Sequence, residues 1–174
     1  MRVPAVSILL ALLAATIACG PARAQSTESL GEAGKWKAYT FLEDGSKVCY
    51  MSSAPDKTEG DYKVRGPVYA LVTHRPALSS RDVVSLIAGY PLKPGADVLV
   101  TIDRKQKFKL FADKETAWTL DDKADRALVQ AMVKGSTMVV EGVSSRGTKT
   151  RDIYSLSGFG KMYQAIGKAC GIKG

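Results

Sequence analysis

Histidine is nearly absent: His74 is the single one in 174 residues. A Ser-His-Asp mechanism would have to run through it. No Gly-x-Ser-x-Gly elbow accompanies it, and it ends a β-rich run beside Arg75 and Pro76, an ordinary turn position. One histidine and two distant cysteines make no metal-ligand cluster, and no Asp-x-Asp-x-Asp-Gly calcium loop occurs. Cys-x-x-Cys is missing, which excludes thioredoxin-type redox chemistry. Gly158-Phe159-Gly160 is neither a phosphate loop nor a dinucleotide fingerprint. The adjacent acids Glu43-Asp44 and Asp121-Asp122 are turn and helix-cap residues. The sequence therefore assigns no catalytic residue, no metal and no cofactor.

Long apolar runs are confined to the first residues. Met1-Arg2 is followed by Val3 to Ile17, too short for a bilayer span of roughly 20 residues. Ala22 and Ala24 give the small-x-small pattern of a signal peptidase site, so residues 1–24 read as a cleaved signal peptide. A buried N-terminal helix is one alternative. A lipoprotein cut before Cys19 is another; Ile17-Ala18-Cys19 suits it and Thr16 does not. The cleaved and the lipidated chain are both exported, to the periplasm or the surface of a Gram-negative cell. No transmembrane segment is expected in the remaining chain.

Of three cysteines, Cys49 and Cys170 lie beyond the leader. Two cysteines in an exported chain most simply pair; two free buried thiols are the alternative. Removing residues 1–24 takes away Arg2 and Arg23 and no acid, leaving 23 basic and 17 acidic side chains, net +6. That balance favours an anionic envelope component or an acidic protein as partner. Compartment rather than charge disfavours nucleic acid, so none is expected as a partner. Solubility alone is the plainer use of the charge.

Residues 25–35 are small and polar and read as a flexible lead-in to one domain over 36–174. Trp36 to Phe41 and Lys47 to Ser52 form a hairpin around Glu43-Asp44-Gly45-Ser46. Residues 54–67 read as a loop. Val68 to Thr73, Asp82 to Ala88, Asp97 to Ile102, Lys107 to Phe111 and Glu115 to Trp118 follow as strands. Asp121 caps a helix to Lys134, with Ala124, Ala127, Leu128, Ala131 and Met132 as its apolar stripe. Thr137 to Val143 and Thr150 to Leu156 pair around Gly147. Ser157 caps a second helix whose stripe is Phe159, Met162, Tyr163, Ile166 and Cys170. Many short strands with close turns and two helices predict an antiparallel β-sandwich carrying the helices as appendages, with a small open barrel as the alternative.

Two basic clusters stand out as candidate anion- or partner-binding residues. Arg104, Lys105, Lys107 and Lys109 sit on one hairpin; Arg146, Lys149 and Arg151 surround another turn. Outward residues of neighbouring hairpins are expected to merge into one positive patch. The plainer reading is solvated strand faces and edge protection.

The stretches Lys47-Val48-Cys49-Tyr50-Met51, Val68 to Pro76, Val84-Ser85-Leu86-Ile87-Ala88-Gly89-Tyr90-Pro91, Met138 to Val140, Ser144-Ser145-Arg146-Gly147-Thr148-Lys149-Thr150 and Tyr154 to Phe159 together resemble the invasion-associated locus B family. The likeness runs from Trp36 to Gly171 and leaves the tip Asp103 to Gln106 unmatched. It implies an exported alphaproteobacterial-type protein with an immunoglobulin-like antiparallel β-sandwich and two short α-helices. Some members are associated with entry of a pathogen into host cells. It supplies no catalytic or ligand residues; Cys49 and Cys170 match positions with a structural job. The expected function is thus a non-enzymatic envelope or surface interaction module. The alternatives are a periplasmic enzyme using His74 and a chaperone-like protein offering a sheet edge.

Overall fold

The computed structural model describes residues 26–172. The expected signal peptide, its expected cleavage site and Cys19 lie outside the described residues. The strands are β1 (Glu28–Ala33), β2 (Trp36–Glu43), β3 (Ser46–Ser53), β4 (Lys57–Gly60), β5 (Tyr69–Arg75), β6 (Ser80–Ile87), β7 (Val98–Ile102), β8 (Gln106–Asp113), β9 (Thr116–Trp118), β10 (Thr137–Val143) and β11 (Lys149–Ser155). The helices are α1 (Asp122–Lys134) and α2 (Phe159–Ala169). β2 shows why the strands form: Trp36, Ala38 and Thr40 are buried while Lys37, Tyr39 and Phe41 alternate outward. The turn to β3 places Asp44 and Gly45 both at positive φ, 50° and 78°, which suits the right-handed twist of a hairpin.

All pairings are antiparallel, in the order β1-β2-β3-β5-β6-β9-β8-β7-β10-β11-β4. β8 pairs with β9 through Phe111 to Asp113 and with β7 through Gln106 to Leu110, so one continuous sheet supplies both halves of the fold. Among the described residues the end strands β1 and β4 do not pair with each other, so the sheet does not close into a barrel. Trp36, Met51, Val72 and Leu86 from one half share a core with Val100, Ile102, Met138 and Tyr154 from the other. The fold is mainly β with two helices, and the sandwich reading describes its layering.

Several local expectations are corrected. Residues 28–33, read as part of a flexible lead-in, form β1, with Leu30 and Ala33 packed against the core. The 54–67 loop contains β4, which pairs with β11; its sequence Lys-Thr-Glu-Gly has no apolar alternation to announce a strand. The helices are not appendages. Leu128, Met132, Phe159, Met162 and Ile166 are core residues, and the Phe159 ring meets Trp36 edge-on at 4.8 Å. Asp121 does cap α1, accepting from the Ala124 amide at 2.8 Å. The buried face of α1, however, is Asp125, Leu128, Val129, Ala131 and Met132, and Ala127 is exposed. Asp125 faces inward because its carboxylate accepts the Val84 N–H at 2.8 Å, just past the end of β9's pairing with β6. Burial raises its pKa above the ordinary carboxylate range. Gly158, not Ser157, caps α2: its φ is +88°, and a Cβ there would lie 2.2 Å from the Ala33 carbonyl oxygen.

Cys49 and Cys170 form a disulfide that ties β3 to the C-terminal end of α2 across 121 residues. In the chain-entropy description a loop of that length is worth about 4–5 kcal/mol. Replacing both cysteines by serine should lower the free energy of unfolding by about 2–5 kcal/mol in guanidinium titration. An unchanged midpoint would show that the bridge constrains nothing.

Candidate functional site

The two basic clusters do not meet. β7 and β10 run antiparallel with Ile102 opposite Met138, so the β7–β8 turn lies beside the start of β10. Asp103 fixes it there, its carboxylate accepting the Ser136 and Thr137 amides at 3.0 and 2.8 Å. The β10–β11 turn that carries Arg146 is at the far end of the same strand. The length of β10 separates the turns by about 20 Å, against a screening length of about 8 Å at physiological salt. The merged patch is therefore corrected to two separate ends.

Between them the charges are largely compensated. Lys109 pairs with Asp97 at 2.8 Å; Arg151 reaches Glu59 at 3.2 Å and Glu141 at 3.9 Å. Arg104, Lys105, Lys107, Arg146 and Lys149 are exposed and make no ion pair among the described residues.

The Arg146 end carries a cleft of about 610 Å³. The β4–β5 loop, the segment after β6, the β8–β9 turn and the β10–β11 turn surround it. Tyr62, Tyr90, Ser144 and Thr150 line it, together with the cations Lys63 and Arg146 and the acids Asp61 and Glu115. Loops clustered at one end of a rigid sandwich are where binding residues concentrate.

What holds the cleft is Arg65. Its guanidinium donates to both oxygens of Asp152, at 2.6 and 2.7 Å, and its Nε donates to the Ala88 carbonyl at 2.8 Å. It stacks between Tyr62 and Tyr90, 5.4 and 5.0 Å from their centroids. The two charged side chains are only 6% and 4% exposed. Burial opposes the charge on Arg65, but the Asp152 carboxylate outweighs it and holds the group above its ordinary range. Tyr90 completes the frame, its hydroxyl 2.5 Å from Thr150 Oγ1; burial raises its pKa. Arg65 and Asp152 are 87 residues apart, and no local pattern marks them as partners.

His74 is buried and inaccessible to a substrate. Its strand register places it opposite Cys49. Nδ1 accepts the Asp82 N–H at 3.0 Å, which puts the neutral ring's proton on Nε2, a buried atom with no partner among the described residues. The Asp82 carboxylate accepts the Tyr163 hydroxyl at 2.7 Å. Burial lowers the His74 pKa below its ordinary 6.5, and the Asp82 carboxylate only partly opposes this. Among the described residues no group of His, Cys, Asp or Glu is arranged to hold a metal, and no helix is long and apolar enough to cross a membrane.

Two outcomes follow from this geometry. Arg65→Met leaves the Asp152 charge buried and should cost about 3–5 kcal/mol in urea unfolding, while Arg65→Met/Asp152→Leu should recover most of it. Equal losses in the single and double variants would show that the ion pair itself is not the source. A depressed histidine pKa contributes stability that is present above the unfolded-state value and lost as pH falls through the folded one. The unfolding free energy should therefore decline as pH drops below 6.5, with a shallower decline in His74→Phe. Parallel pH curves would remove His74 from the acid response.

A family model described as "Invasion associated locus B (IalB) protein" matches residues 36–167. The crystal structure of invasion associated protein B from Bartonella henselae is similar, with a TM-score of 0.56 and 16% identity over 80% of this chain and 95% of that one. At that identity the likeness concerns the fold. None of the curated proteins matches. With three-quarters of its length covered by the family model and a shared mainly-β fold, the chain belongs to the invasion associated locus B family.

Proposed function

We propose that this protein is an exported, non-enzymatic interaction module of the cell envelope or surface, and that it binds an anionic envelope component or an acidic protein at the Arg146 end. The observation that carries the reading is the loop-lined cleft with Lys63 and Arg146 among its lining residues, neither in an ion pair among the described residues. Lys149 lies just beyond the same turn and lines a neighbouring depression with Glu59, Asp97 and Glu141. Export is supported by the leader-like first 24 residues and by the disulfide, which persists in oxidising compartments. A part in host-cell invasion enters through the family's description and the Bartonella protein's name. Burial of His74 speaks against the enzyme alternative.

A second reading has one observation of its own. Among the described residues β1 and β4 end the sheet without a further strand partner, the feature a chaperone-like protein uses to add a partner's strand. Main-chain pairing of that kind survives high salt, whereas capture by exposed cations weakens with it.

The test is in-cell cross-linking and capture with three proteins: wild type, Lys63→Glu/Arg146→Glu/Lys149→Glu, and Lys105→Glu/Lys107→Glu. The expected result is a salt-sensitive partner lost by the first variant and kept by the second. A partner retained by both, or lost equally by both, would overturn the site.

A further inference from the structure

The outer face of β2, β3 and β5 is a second surface, independent of the cleft. Strand alternation sends Trp36, Ala38, Met51, Ala70 and Val72 inward and Tyr39, Phe41, Tyr50, Tyr69 and Leu71 outward. The register sets Tyr39 opposite Tyr50 and Tyr50 opposite Thr73; Ser52 stands opposite Leu71. Tyr39 and Tyr50 stack at 5.2 Å, and Phe41 meets Tyr50 edge-on at 5.9 Å. Both helices pack on the opposite, core side. Tyr69 is 41% exposed, and two shallow depressions, about 390 and 740 Å³, flank the stacked pair and share Tyr50. Tyr39, Phe41, Tyr50 and Leu71 are half-buried on this face and Tyr69 is exposed, so it presents ring edges and hydroxyls to solvent.

Its chemistry is narrow. Each nearby cation has an acid: Lys37 with Glu32 at 3.7 Å, Lys35 with Asp56 at 2.8 Å, Arg75 with Glu43 at 3.1 Å. The face therefore offers an anion no free positive charge. It also offers hydroxyls. Those of Tyr39, Tyr50, Tyr69, Ser52 and Thr73 make no hydrogen bond among the described residues. A dry apolar interface would strand them at about 1–3 kcal/mol each. The matching ligand is uncharged, presents C–H faces to aromatic rings and offers hydroxyl groups at its edges. Tyrosine suits such a ligand, since it brings a rigid apolar ring and a polar tip at low entropic cost.

We infer that the tyrosine face of β2, β3 and β5 binds a neutral glycan chain laid across the strands, with sugar rings in the two depressions beside Tyr50. This function is distinct from capture of an anionic partner at the Arg146 end, and it stands or falls separately.

The purified protein is titrated by calorimetry with cellohexaose, maltohexaose and chitohexaose, with polygalacturonate as the anionic comparison. Binding of at least one neutral chain is expected. Tyr39→Ala and Tyr50→Ala should each weaken it about tenfold, the scale of one lost aromatic contact. Tyr39→Phe keeps the ring and should lose less, and Lys63→Glu/Arg146→Glu/Lys149→Glu should bind the glycan as wild type does. Thermal melts of the variants separate loss of the face from loss of the fold. The inference is overturned by any of three results: no neutral chain binds, binding is indifferent to Tyr39 and Tyr50, or the protein sediments as a dimer that Tyr39→Ala dissociates, which would give the face to a second copy.

Discussion

The buried ion pair between Arg65 and Asp152 is the constraint on which the candidate site depends. The β4–β5 loop forms no strand from Asp61 to Val68, and a single backbone bond, from the Gly66 N–H to the Gly89 carbonyl at 2.8 Å, joins it to the segment after β6. One guanidinium fastens it, using both oxygens of a β11 carboxylate and the carbonyl of Ala88 after β6. The same group orders Tyr62 and Tyr90 on either side of it. Bidentate geometry matters because a buried charge must have its partners satisfied, and arginine is the side chain that does this with a planar fork. The cleft walls are consequences of that arrangement.

At the opposite side of the core a second tie works differently. The disulfide anchors the end of α2 to β3, next to a buried polar group made of His74, Asp82 and Tyr163. The Asp82 carboxylate bonds Tyr163 and the His74 ring bonds backbone; His74 and Asp82 are buried, and Tyr163 is half-buried. Their chemistry is that of a core that must hold a β-bulge at Asp82, whose φ is +63°. The two ties lie inside the molecule, apart from its charged, loop-built end and its tyrosine-rich sheet face.

Much of the architecture was legible in the sequence, for physical reasons that can be named. The β2–β3 hairpin followed from Asp44-Gly45 between alternating strands, and the start of α1 from Asp121. The Cys49–Cys170 pairing followed from there being two cysteines beyond the leader-like first 24 residues. β1 and β4 were hidden because edge strands need little apolar alternation, so their composition reads as loop. The buried face of α1 turned by a residue because Asp125 satisfies a backbone N–H of β6, a tertiary demand that local periodicity does not show. The basic clusters were legible as charges but not as places: only the antiparallel register of β7 with β10 sends their turns to opposite ends. Arg65 and Asp152 gave no signal, because a pair so far apart in the chain is visible only after folding.

The central claim is that the Arg146 end is where this protein recognises an acidic partner. The direct measurement is amide chemical-shift mapping of the purified, isotope-labelled protein titrated with a hexaglutamate peptide. The account predicts perturbations that cluster at Asp61 to Gly66, Gly89 to Tyr90 and Ser144 to Thr148 and that vanish at high salt. Shifts concentrated at Arg104 to Lys109, or spread evenly over every exposed lysine and arginine, would contradict it.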